Sequence, residues 1–510
     1  MFDYSVFQHE CKPLEFPHEV PMSKDYKVFV NGVEIPVYSC RISSYPFNTW
    51  WPGHQRPFVQ SEAASYVNLI SDEEIEIAVE PLTKTAYERI MIKPYAKNIS
   101  YTKQGEKIVF RLKDNGGYVL ELDDYHGLLY IFNNKACPCE NPEKVTHYFG
   151  KGVHFAGKIT LHSNESVYLE KDALVYGCIF AENAENIHIY GNGILDDGTE
   201  ERVSQHCYER YTNGNVKFYD CNHLRLEGVG MTNSAIWCVN LFHCIDVEMD
   251  GINVFGQWRY NTDGVDIVNC RNVTLRNSFV HSFDDTVTIK GIDRYREECN
   301  TDILVENCVL LCDWGKTMEI GLETECREYA RIQFRDCHVV RGGNTACDIQ
   351  NGDCATVHDI SFENITIELE SFYTREQIQK NDEHEYERKD TIGLSNLLKI
   401  ENKRFRETYA FINVGVGDLS DKGQPHYAAV HGIRVKNVNV YADDTIIAKY
   451  GNECVRISIF NQIPTTEYAD VSVENVSLNG YRLFGDDMNV SLIRIPTNIQ
   501  TAYRLRLIIG

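Results

Sequence analysis

Two textures of apolar and polar positions divide the chain. In residues 1–143 short runs alternate with period two: YKVFVNGVEIPVYSC (26–40), EIEIAVEPL (74–82), ISYTKQGEKIVFRL (99–112) and YVLELDD (118–124). Turn residues such as Asn31-Gly32 and Asn115-Gly116-Gly117 separate them. Alternation broken by such turns predicts antiparallel strands, and a β-sandwich domain is expected over 1–143. Helical periodicity is nearly absent.

From about residue 150 the pattern becomes a loose repeat, a polar residue followed by apolar-x-apolar: NIHIYG, HLRLEG, DVEMDG, NVTLRN, DILVEN, RIQFRD, DISFEN, GIRVKN and DVSVEN. The first apolar residues are Ile187, Leu224, Val247, Val273, Ile303, Ile332, Ile360, Ile433 and Val471, separated by 37, 23, 26, 30, 29, 28, 73 and 38 residues. A core spacing of 23–30 with short strands predicts the coils of a right-handed parallel β-helix over 144–510. Cys221, Cys244 and Cys270 each stand three residues before an anchor, as an interior ladder requires. The 73-residue gap means two unrecognised coils or an insertion. Its polar stretch 370–405 favours an insertion, placed at 370–430 on one face of the helix.

Composition narrows the function. The 510 residues carry 74 Asp plus Glu against 50 Lys plus Arg, a net charge of −24. That field repels phosphate backbones, so nucleic acid is not an expected partner. No run approaches the ~18 apolar residues of a membrane span, so no membrane is expected either. The 18 Cys are spread along the chain, and MFDYSVFQHECKPLEF lacks the basic and apolar regions of a signal peptide. Reduced thiols and a cytoplasmic location are the expectation.

The chemistry concentrates in GQWRYNTDGVDI (256–267) and SFDDTVTIKG (282–291). Asp263 precedes Asp284 and Asp285 by 21 and 22 residues, close to one coil, which stacks three carboxylates on one face. Carboxylates held together repel, so one keeps its proton while another is ionised. A general acid and a general base about one bond is what glycoside hydrolysis needs.

NTDGVD, FDDTVTIKG and the IG of MEIGLE resemble the polygalacturonase family, glycoside hydrolase family 28, over about 150–365. The leading sandwich resembles the layout of the dextranase and isopullulanase family, family 49. The resemblance implies an inverting hydrolase without metal or other cofactor. It implies Asp284 as general acid, with Asp263 and Asp285 activating water. Asn261 would position the sugar or Asp263, and Lys290 would bind a hydroxyl or hold the aspartates.

Two departures bear on the substrate. Lys316 stands where the family has the histidine of its GHG motif. The family's RIK pair, which holds a galacturonate carboxylate, has no counterpart. CDIQNGD (347–353) offers Asp348 and Gln350 there, beside Glu319 of MEIGLE. A uronate needs cations, whereas carboxylates and amides suit neutral hydroxyls. An α-glucoside or α-galactoside is therefore expected, with Arg259 and Lys316 as the remaining cations and a galacturonide hydrolase as the alternative. Trp258, Tyr260 and Trp314 flank the site as stacking surfaces, and Trp237 reads as packing. Trp50, Trp51 and His54 of the sandwich, or the 370–430 segment, could close the groove and make the enzyme exo-acting on oligosaccharides. A polysaccharide lyase and a non-catalytic carbohydrate-binding solenoid are the rival readings.

Overall fold

The computed structural model describes residues 20–44, 58, 61–203, 207–342, 345–353, 355–369, 379–380, 385–386, 396–402, 429–461, 467–483 and 503–508. Two five-stranded sheets face each other in the first part. One runs in the order Val33–Ile35, Tyr26–Val30, Ile75–Pro81, Lys107–Leu112, Tyr101–Gln104. The other runs Tyr38–Ser43, Ser61–Ile70, Asp124–Asn134, Gly116–Leu122, Ile90–Lys93. Alternation does the work: Val28, Ile77, Val79, Ile108, Leu120 and Ile131 point inward and are buried together.

Among the described residues, 29 of the remaining 31 strands form one sheet wound into a β-helix, parallel except where Tyr481–Arg482 and Tyr503–Ile508 pair antiparallel at its end. The anchors stack in register as one ladder: Ile187 on Leu224, then Val247, Val273, Ile303, Ile332, Ile360, Ile433 and Val471. All of them are buried in one continuous apolar core. The polar residue before each anchor has a physical reason. Asn186, His223, Asp246, Asn272, Asp302 and Asp359 have φ between 54° and 60°, the left-handed corner at which the coil turns, and Asn and Asp tolerate that region best. Cys221, Cys244 and Cys270 are buried in the same core, and the Cys244 amide donates to Cys270 Sγ at 3.2 Å.

The 73-residue gap is one long coil, because Ile360 pairs directly with Ile433. Within the segment expected as an insertion, Asn396–Asn402 is itself a ladder strand, between Thr345–Asn351 and Arg456–Asn461. Its NLLKIEN pattern supplies the strand alternation that the polar flanks hide. Apart from that strand and the short pairing of Gln379–Lys380 with Glu385–Tyr386, residues 370–428 lie outside the described residues, as do Trp50, Trp51 and His54.

The sandwich packs on one face of the helix. Tyr130 and Phe132 meet Phe255 and Phe279 at centroid distances of 4.9–5.8 Å. Gly117 is required there, since a Cβ would sit 2.4 Å from Phe279 Cδ2. A buried polar chain crosses the same interface. Lys93 pairs with Glu121 at 2.8 Å, Glu121 with Arg341 at 3.0 Å, Arg341 with Asp313 at 2.8 Å and Asp313 with His281 at 3.0 Å. Tyr130 Oη closes it on His281 Nδ1 at 2.6 Å.

Candidate active site

Register places the acids. Val265 pairs with Val287, so Asp263 and Asp285 hold equivalent corners of successive coils, and the Gly264 amide donates to the Asp285 carbonyl at 2.8 Å. The next coil brings Lys316, since Val287 pairs with Met318. Gly315 allows this corner to close: a Cβ there would lie 2.4 Å from Asp285 Oδ1 and 2.6 Å from Asp284 Oδ1.

The two neighbouring aspartates have opposite settings. Asp284 is partly exposed, and its carboxyl oxygen accepts the Asp285 amide at 3.0 Å. Desolvation, then the Asp285 charge, pushes its pKa up to about 7 against the pull of Lys316 and Lys290. Asp285 is buried, and burial alone would raise it. Lys316 Nζ at 3.4 Å, Lys290 Nζ at 3.3 Å and the Lys316 amide at 2.9 Å outweigh burial and hold it below the usual carboxylate range. Asp263, also buried, shares Lys290 at 3.8 Å and accepts Asn261 Nδ2 at 3.2 Å. Burial and the charges of Asp266 and Asp284 raise its pKa.

The structure brings most of the expected residues together and shows which contacts they make. Lys290 is buried among Asp263, Asp285 and Glu323, with its ammonium 4.9 Å from the Trp237 ring. Lys316 pairs with Asp285 and, at 3.0 Å, with Glu319. Gln350 Nε2 donates to Glu319 at 3.2 Å and to Asp348 at 2.8 Å. Glu319, Asp348 and Gln350 are all buried, so they lie beneath Lys316 as a polar ladder. Tyr260 and Trp314 face each other at 5.8 Å, and Phe283 stacks under Trp314 at 5.6 Å. Trp258 donates to Asn233 Oδ1 at 2.9 Å and meets Phe58 of the sandwich edge-on at 5.8 Å. Arg259 turns away from the acids, its two Nη atoms donating to the carbonyls of Glu200 (2.8 Å) and Gly198 (3.1 Å).

Sequence reasoning did not single out three contributors. Asp266 is fully buried beside Asp263 and Lys290, and burial pushes its pKa well above the usual carboxylate range. The alternation in VDIV already places it on the outer face, in register with Thr288. Glu323, the last residue of MEIGLE, reaches Lys290 at 3.6 Å. Arg202 donates to the Tyr260 carbonyl at 2.7 Å and to Asn261 Oδ1 at 3.1 Å, and nothing in the sequence pattern signals it.

The chain is similar to known proteins over this region. Residues 143–395 match the family described as Glycosyl hydrolases family 28. The chain is similar to a probable endopolygalacturonase D of Neosartorya fischeri, 27% identical over 160 residues, 28% of this chain and 32% of that protein. It is also similar to an exopolygalacturonase of Zea mays, 23% identical over 268 residues, 41% of this chain and 62% of that protein. The chain thus spans less than two thirds of the length of these curated relatives. Among solved structures, Dex49A from Penicillium minioluteum superposes with a TM-score of 0.57 at 14% identity, covering 91% of this chain and 84% of that one. Residues 143–395 are thus similar in sequence to family 28, and they lie on a parallel β-helix. The sandwich-then-helix fold of the chain is like that of Dex49A.

Proposed function

We propose that the protein hydrolyses α-linked oligosaccharides of neutral sugars from a chain end, inverting the anomeric centre. The observation that carries this reading is the opposite setting of two adjacent carboxyls. Asp284, raised to about 7, keeps a proton to give to the glycosidic oxygen as the C1–O bond breaks. Asp285, held ionised by two lysines, takes a proton from the water that forms the new C1–O bond on the opposite face, with Asp263 beside it orienting that water. The family match favours this hydrolysis over a lyase reaction or a non-catalytic solenoid.

The neutral sugar is supported by how the nearby cations are used. Lys290 and Lys316 serve carboxylates, Arg259 serves carbonyls, and Arg202 serves Tyr260 and Asn261. A uronate would compete with those partners. Action from a chain end is supported by Phe58, which brings the sandwich against Trp258 at the site. The second reading, a galacturonide hydrolase acting at chain ends, is favoured by the names of the relatives.

Incubation with a panel of α-linked gluco-, galacto- and galacturono-oligosaccharides, with product anomers followed by NMR, tests both. Fastest turnover of a neutral substrate with β-anomer released first is expected. Dominant turnover of oligogalacturonate would replace the first reading with the second. Buried stacked thiols such as Cys244 and Cys270 further support a cytoplasmic location; cell fractionation that finds the protein outside would overturn it.

A further inference from the structure

We infer that Arg202 is a positioning residue for the water-activating pair: its guanidinium fixes the Asn261 amide, which then donates to Asp263. The logic lies in donor and acceptor types. A guanidinium offers only donors. Arg202 Nη2 stands 3.1 Å from Asn261 Oδ1, so the amide oxygen must face Arg202 and the NH2 must face away. What lies on that other side is Asp263 Oδ1, at 3.2 Å from Asn261 Nδ2. The second arm, Nη1, holds the Tyr260 carbonyl at 2.7 Å. The planar fork therefore grips two consecutive residues and sets the plane of the next side chain. Asn261 sits at φ 59°, in the left-handed region, so this corner depends on such outside support.

Arg202 is well placed for this task. It is 8% exposed, and its guanidinium lies 5.3 Å from the Tyr260 ring centroid. Its own segment is anchored by buried Lys217, whose Nζ donates to the carbonyls of Cys207, Glu209 and Thr212 at 2.6, 3.0 and 2.5 Å. The Val203 amide also donates to Thr212 Oγ1 at 3.1 Å. Charge adds to geometry. Asp263 is faced by Asp266, Asp284, Asp285 and Lys290, and Lys290 is already divided among Asp263, Asp285 and Glu323. Arg202 is a second cation near Asp263 and Asp284.

This inference rests on the hydrolase reading and on Asp263 as the residue that orients the water. The test uses the full chain and the α-linked oligosaccharide that the wild type turns over fastest. Arg202→Gln should lower kcat ~10- to 100-fold, with KM changed less than about threefold. That is less than the ~10²- to 10⁴-fold that a general acid or base itself contributes, because Arg202 acts through Asn261. The basic limb of its pH profile should move upward by ~1 unit, since a cation near Asp284 is gone. Arg202→Lys keeps the charge and loses the fork, so kcat should fall while the limbs stay. It also serves if the Gln variant does not fold. In a double-mutant cycle, adding Asn261→Ala to Arg202→Gln should cost little beyond the single change. Additive losses, or wild-type kcat and pH limbs in both Arg202 variants, would overturn the inference. A crystal structure of Arg202→Gln gives a readout independent of turnover. An Asn261–Asp263 hydrogen bond left in place there would overturn the relay, whereas absence of turnover by the wild type would count against the hydrolase reading alone.

Discussion

Asp284 and Asp285 are adjacent in the chain, yet one is set to give a proton and the other to remain ionised. The difference lies in who stands beside each oxygen. Lys316 and Lys290 approach Asp285 at 3.4 and 3.3 Å, while the carboxyl of Asp284 accepts the Asp285 amide at 3.0 Å. Asp284→Asn removes the proton donor and should lower kcat by a factor of ~10² or more with the fold intact, because this side chain is partly exposed. Near-wild-type turnover by that variant would exclude Asp284 as the acid. In the wild type, activity should fall above about pH 7 as Asp284 loses its proton. Lys316→Met takes a cation from Asp285 and should raise the acidic limb of kcat/KM by ~1 unit. The direction follows because a base that needs its charge binds protons more readily once the cation is gone. An unmoved limb would mean that Lys290 and the Lys316 amide suffice.

At the scale of elements, corners and strands are legible in the sequence because they repeat. A left-handed corner selects Asn or Asp, and the strand after it selects apolar-x-apolar, so the anchors could be aligned without the structure. The acid trio was legible for the same reason: Asp263 and Asp285 are one register step apart. Contacts that join non-repeating positions leave no periodic trace. Arg202 reaches Asn261 across 59 residues and Arg341 reaches Glu121 across 220, and neither partner is marked by its neighbours. Asn396–Asn402 was hidden in a different way, by polar flanks that outweigh its seven residues. The Arg341 crossing carries its own prediction. Arg341 bridges Glu121 and Asp313, all three nearly without solvent exposure. Arg341→Met would leave buried carboxylates short of a cation and should cost ~3–5 kcal/mol of unfolding free energy. Denaturant titration measures it, and a loss under ~1 kcal/mol would mean that Lys93 and His281 carry the compensation alone.

Over the whole molecule the charge is −24, and many of the buried acids are displaced upward. Burial first, then neighbouring charges, raises Asp284 to about 7 and Glu325 to about 7; burial raises Asp196 to about 6. Burial also pushes Asp197, Asp263, Asp266 and Glu319 well above the usual range. A carboxyl raised in the native state keeps its proton after the unfolded chain has released it near pH ~4. Between ~4 and the native value the folded form binds more protons, so stability declines as pH rises through that window. Growing repulsion within an acidic chain acts in the same direction. Opposite contributions exist. Glu121, Asp285 and Asp313 are held down by cations despite burial. Their stabilisation is present above ~4 and is lost as pH falls toward their lower native values. His338, lowered to about 4 by burial and by Lys97, gains its proton first in the unfolded chain and so subtracts stability below ~6.5. His188 is lowered in the same way by burial, while His126 and His358 are, despite burial, raised by the carboxylates beside them. The histidines largely offset one another, so the balance in the middle range belongs to the seven raised carboxyls. The thermal midpoint should therefore peak between about pH 4 and 5, fall toward pH 8, and drop steeply below ~4. Calorimetry across pH 3.5–9 measures it, and a midpoint that climbs steadily from pH 5 to 8 would show that the raised acids do not govern the stability of this fold.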